Sequence, residues 1–91
     1  VNNMITGKKE IGKAVMAVAQ YANDCFENEN YLEMNEAFKL AINMAHMYEI
    51  REKTLVASFY GNYLSEAVDR LEYKIAIGNE AKNILKELRG E

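Results

Sequence analysis

Proline and tryptophan are absent from this sequence, and cysteine and histidine occur once each. Without proline, nothing bars long uninterrupted helices, because no ring removes an amide donor or clashes with the preceding turn. The lone Cys25 excludes an internal disulfide framework and a cysteine-based zinc site. It fits a reducing, cytoplasmic setting. Excess positive charge is also lacking: 11 Lys and Arg stand against 14 Asp and Glu, and the net charge of −3 is spread over both halves. That balance leaves no electrostatic footprint for nucleic acid or an anionic membrane. No apolar run approaches membrane-spanning length, and the start lacks a signal-peptide pattern. A glycine-rich phosphate loop and a Ser–His–Asp spacing are missing as well.

What remains is ordinary globular usage, 49% hydrophobic and 27% charged, in 91 residues. That suffices for one small domain with a modest core, so every long apolar stripe counts. The opening "VNNMITG", residues 1–7, reads as a flexible lead-in, and residues 8–91 as a single helical-bundle domain.

Ile11, Val15, Val18, Ala22 and Cys25 recur at 4-3-4-3 spacing, one face of a helix over about Lys8–Glu27. Gly12 weakens its first turn, and Asn28–Asn30 break it. Asn30 with Glu33 has the form of a capping box opening a second helix, which runs to about Ile50. Met34, Phe38, Ala41, Ala45 and Tyr48 form its core stripe. Leu40, Met44 and Met47 form a second stripe beside it, so apolar positions cover more than half of this helix. Such a middle helix packs on two neighbours, and Leu40 and Met47 lie at the margin, where a partner can reach them. From Thr54 a third stripe runs through Val56, Tyr60, Tyr63, Leu64, Ala67, Leu71 and Ile75. It continues past Gly78, still in phase, as Ala81, Leu85 and Leu88. Short loops make neighbours antiparallel. The expected fold is all-α, an up-down-up three-helix bundle with a long third helix. The alternative is four helices with a break near Gly61.

The sequence echoes itself: "NYLEMNEA" at residues 30–37 and "NYLSEA" at residues 62–67. With their upstream neighbours, "ENYL" and "GNYL", the two stretches resemble the turns of tetratricopeptide-type repeats, where a Tyr precedes a Glu-Ala opening the second helix. The first copy carries extra residues and no proline closes either unit, which favours one hairpin over a true repeat. One hairpin plus a third long helix resembles microtubule-interacting-and-trafficking (MIT) domains over residues 11–77. The residues that carry the likeness are "YAND", "ENYLE" and "EAFKLAINMA" in the hairpin and "NYLSEAVDRLEYKI" in the third helix. The resemblance implies a module that holds a short helical peptide in a groove between neighbouring helices, often on behalf of AAA-type ATPases.

Few residues carry chemistry. His46 falls on the helical wheel with Asn35, Lys39 and Asn43, opposite the core. An exposed His on a bundle helix resembles that of histidine phosphotransfer domains, but Glu49 stands where those domains place a Lys, and a carboxylate repels an incoming phosphoryl group. The inward Glu-x-x-His pattern of carboxylate-bridged metal sites is missing, and no cofactor is implied. Cys25 lies on the core face, where a small buried thiol is inert. Asp24, Glu27, Glu29, Glu33 and Glu36 place five acids across the first turn without a base, a solvated turn that can also steer a basic peptide. Tyr21, Tyr63 and Tyr73 sit at stripe margins, where a ring packs and its hydroxyl reaches water.

The sequence therefore points to a non-catalytic interaction module for a partner helix or peptide. Its expected contacts are Leu40, Met44, Met47, Tyr63 and Tyr73, aided by the acidic turn. The alternatives are a phosphotransfer carrier using His46 and a small regulatory or inhibitory protein of a mobile element. Because Ala81, Ile84, Leu85 and Leu88 would overhang the bundle with an apolar face, they are expected to pair two copies into a homodimer; the alternatives are docking on a following domain and a fold-back at Gly78.

Overall fold

The computed structural model describes residues 3–91, with side chains from residue 7 onward. Four helices and no strand are found among the described residues: α1 (Asn3–Glu27), α2 (Tyr31–Met47), α3 (Lys53–Ile75) and α4 (Glu80–Arg89). The all-α expectation holds. Helix α1 starts ahead of the expected Lys8, inside the lead-in of residues 1–7, whose first two residues lie outside the described ones.

The connections, residues 28–30, 48–52 and 76–79, are too short for anything but antiparallel neighbours. Helix α2 lies between α1 and α3. Helix α4 turns back along α3 and reaches the start of α2, while α1 meets α3 along a narrow strip only. The result is an open array of 57 × 22 × 16 Å rather than a closed three-helix bundle. Its radius of gyration is 15.2 Å, above the roughly 12 Å of a compact chain of this length.

The single long third helix needs correction, and the alternative of four helices holds in number but not in the place of its break. Gly61 lies inside α3, so there is no break there, and the two "NYL" stretches occupy different places: the first opens α2, the second is mid-helix. The helix ends instead before Gly78. In-phase apolar positions had suggested continuity through this glycine. Folding back, however, buries Ala81 and Leu85, and an overhang would leave that stripe in water.

Helices α1 and α2 approach closely because small side chains line their contact. Ala19, Ala22, Ala37, Ala41 and Ala45 are all buried, with Val15, Cys25 and Met34 filling the space between. Towards α3 the filling changes to rings. Phe38, with 0% exposure, stacks on Tyr63 at 5.8 Å and 19°, and meets Tyr60 at 5.7 Å. Phe26 packs on Tyr63 at 4.6 Å and on Tyr31 at 5.9 Å. The Arg70 guanidinium covers the Phe26 ring at 4.7 Å from its centroid. These offset and tilted pairs satisfy the ring quadrupoles, and the cation sits on the negative face of the Phe26 ring. Tyr48, assigned to the core stripe, is instead exposed, because α2 ends at Met47 and Ile50 fills that end of the core.

The helix ends show how this chain turns without proline. At the end of α1 the Asn30 amide donates to the Cys25 carbonyl at 2.8 Å, and the Glu29 amide to that of Phe26 at 3.0 Å. At the end of α2 the Ile50 amide donates to the Ala45 carbonyl at 2.8 Å and the Glu49 amide to that of His46 at 3.3 Å. Both are Schellman caps, whose penultimate residue must be left-handed. Glutamate occupies that position each time, with φ 59° at Glu29 and 50° at Glu49. The Asn30 side chain makes no capping hydrogen bond, so the expected capping box does not form: Asn30 is already engaged through its backbone in the preceding cap. Since a β-carbon in the left-handed region costs about 1 kcal/mol, Glu49→Gly is expected to raise stability by about that amount in urea unfolding. An unchanged or lowered midpoint would show that the Glu49 side chain compensates for its backbone.

Candidate functional site

The five residues expected to contact a partner do not share one surface. Leu40 (53% exposed), Met47 (72%) and Tyr73 (77%) stand in water. Met44 and Tyr63 are half-buried and packed on the core. Tyr63 is held there by Phe26 and Phe38, which makes it a structural ring rather than a free contact. Tyr73 belongs to the far end of α3, beside Lys74 and the acidic turn, on a different part of the surface from Leu40.

What the structure brings together around Leu40 is more coherent than the stripe alone. Val18 and Tyr21 from α1 and Ala37 and Leu40 from α2 enclose a cleft of about 350 Å³, with the Glu33 and Glu36 carboxylates on its rim. Two small residues, the exposed Ala17 and the buried Ala37, complete its lining. Tyr21 was legible as a margin tyrosine. Val18 had been assigned to the core stripe, yet it is only half-buried and lines this cleft. The Tyr21 phenol is harder to ionise than an ordinary tyrosine, first because of the Cys25 thiol beside it and then because of the Glu33 carboxylate.

The acidic turn splits in two. Asp24, Glu27 and Glu29 form the tip, where Glu29 is paired with Lys74 at 3.0 Å and Asp24 accepts from the Gln20 amide at 3.1 Å. The base missing from the turn in sequence is thus supplied by α3. Glu33 and Glu36 run along the cleft, with Lys39 at 3.9 Å from Glu36. At the opposite end of the molecule a second cleft, lined by Gly12, Met16 and Ile50, gathers Lys8, Lys9, Lys13 and Arg51 together with Glu52, and Glu10 and Glu52 lie at 3.8 Å from Lys13 and 3.6 Å from Arg51. The antiparallel hairpin thus gathers more acids than bases at one end and more bases than acids at the other, with counter-charges present at both.

His46 is exposed in the last turn of α2, as its wheel position required, but Asn35, on the same azimuth, is buried. Its Oδ1 accepts from the Tyr60 hydroxyl at 2.6 Å. Helix α3 covers this face of α2 at Asn35 and leaves it open at His46, which a wheel of one helix cannot show. Cys25 is buried in the α1–α2 contact. Among the described residues, no group of three or more His, Cys, Asp or Glu is placed to hold a metal ion, and no helix is long and apolar enough to cross a membrane.

The residues expected to pair two copies, Ala81, Ile84, Leu85 and Leu88, are used within the chain. Ala81 and Leu85 are buried against α3 and the start of α2, and Ile84 and Leu88 pack at the edge of the core. Arg89 Nη2 reaches Glu72 Oε2 at 3.1 Å and ties the end of α4 to α3. In this fold the stripe is not an open face. Compared with known proteins, the chain matches no family model, no curated protein and no solved structure.

Proposed function

We propose that this chain is a non-catalytic interaction module whose α1–α2 cleft receives one face of a partner helix carrying basic residues. The observation that supports it is Leu40. A large apolar side chain stands half-exposed beside Val18 and Tyr21, with Ala17 and Ala37 in the same cleft and two carboxylates lining it. Two antiparallel helices with small residues between them form a trough into which the i, i+3 and i+4 side chains of a third helix can be laid. The Glu33 and Glu36 pair then favours Lys or Arg along the flank of that helix and selects against acidic ones. This is also the binding mode implied by the resemblance to MIT-type domains, in which a peptide lies between neighbouring helices. The buried thiol of Cys25 suits a reducing cytoplasmic setting.

A synthetic amphipathic peptide of Leu and Lys at helical spacing is a suitable probe. Chemical-shift changes are expected to cluster on Val18, Tyr21 and Leu40 and to fade as salt is added. Leu40→Asp should abolish them while leaving the circular dichroism unchanged, because the side chain it replaces is largely in water. Reversing Glu33 and Glu36 to Lys should weaken binding by up to about fivefold per charge. His46→Ala should leave it unchanged. Shifts scattered over the surface, or binding indifferent to Leu40→Asp, would remove this reading.

A further inference from the structure

The join between α3 and α4 is close to being a helix already. Ala76 is in the right-handed helical region (φ −63°, ψ −15°), and so is Asn79 (φ −86°, ψ −21°). The Gly78 amide donates to the Lys74 carbonyl at 3.1 Å, the bond that a continuing α-helix would make. Gly78 does not have positive φ, and a β-carbon placed on it would meet nothing within 4 Å. No feature of this turn therefore demands glycine. The sequence on either side is patterned for one helix: at 100° per residue Leu64, Ala67, Leu71, Ala81 and Leu85 all lie within roughly 60° of the direction of Gly78. The turn also has a hydrophobic penalty, for Ile77 is 79% exposed at its apex.

We propose that α4 exchanges between two copies of this chain. The residues between Ile75 and Glu80 straighten, α3 and α4 become one helix, and each α4 takes the place of its counterpart against α2 and α3 of the other copy. The occupant of that groove is fixed by the fold itself, since the groove already holds this segment, with Ala81 and Leu85 buried in it and Arg89 paired to Glu72. Every such contact re-forms between copies, so the balance between the two forms is set by the hinge and by concentration alone, the usual condition for a domain-swapped dimer. A ten-residue helix is marginal by itself, so its release is governed by docking rather than by its own stability.

The test uses full-length chains in a Cys25→Ala background, which leaves no native thiol. Chains carrying Glu72→Cys and chains carrying Arg89→Cys are mixed, annealed at high concentration, diluted and treated with a short bismaleimide. Exchange places the two thiols across the dimer, so a covalent heterodimer is expected. Its yield should rise with Gly78→Ala, by about fivefold per chain from helix propensity, and fall with Asn79→Pro, which disfavours the straight helix and tolerates the turn. A chain carrying both cysteines provides the control: it should close on itself when kept dilute. If that control closes while the annealed mixture gives no heterodimer, exchange does not occur and α4 belongs to its own chain.

Discussion

Phe38→Ala is expected to lower the unfolding free energy by about 3–5 kcal/mol. Phe38 is completely buried in the middle of α2, the helix that joins α1 to α3. Its ring contacts Tyr60 and Tyr63 of α3, and Tyr63 in turn holds Phe26 of α1. Removing it leaves a cavity at the point where all three helices meet. An open array has little means of closing that cavity, because α1 and α3 touch only along a strip and cannot collapse onto each other. A chain of this size has a net stability of about 5–15 kcal/mol at most, so the variant loses a large share of the total. Urea unfolding followed by circular dichroism reads the effect directly. A loss below about 1 kcal/mol would mean that the rings repack and that the aromatic layer is not the centre of the structure.

Tyr60→Phe is expected to cost about 1–3 kcal/mol, although it deletes a single oxygen. That hydroxyl donates to Asn35 Oδ1 at 2.6 Å, and Asn35 is buried, with 4% exposure, where α3 covers an otherwise polar and exposed face of α2. Without the donor, the Asn35 carbonyl is left desolvated and unpaired. Asn35→Leu should cost less, because the hydroxyl it strands belongs to a half-buried residue that can turn towards water. A double-mutant cycle isolates the bond, and additive losses would show that the pair is not coupled. The same residue gives a pH signature. The Tyr60 pKa is raised above 10.0, first by burial and then by the Glu36 carboxylate. A group whose folded pKa is raised contributes stability that is complete below the unfolded value and is lost as pH rises through the folded one. Stability should therefore begin to fall above about pH 10, and less steeply in Tyr60→Phe. A wild-type curve identical to that of the variant would remove Tyr60 from the account.

Much of the fold is legible in the chain because the information is local. The 4-3-4-3 stripe of α1 and the stripe of α2 are properties of consecutive residues, and Val15, Ala22, Cys25, Met34, Phe38, Ala41 and Ala45 are buried as the period requires. The absence of proline and the short polar breaks set antiparallel helices before any contact is known. The exposure of Leu40 at the margin of α2 follows from the same geometry.

What the tertiary structure decided depends on what lies opposite each face. Periodicity carried the third stripe unbroken through Gly78, but phase does not say whether a helix continues or turns back to lie on itself. The burial of Ala81 and Leu85 against α3 and α2 settled that in favour of the turn. Asn35 and His46 share an azimuth and differ in burial because only one of them faces Tyr60. Glu29 found its base in Lys74, 45 residues away in sequence. Lys8, Lys9 and Lys13 met Arg51 at one end only because the hairpin returns there. A sequence specifies which side of each helix is apolar. Which of those sides meet, and which remain open to a partner, is fixed by packing that no single helix contains.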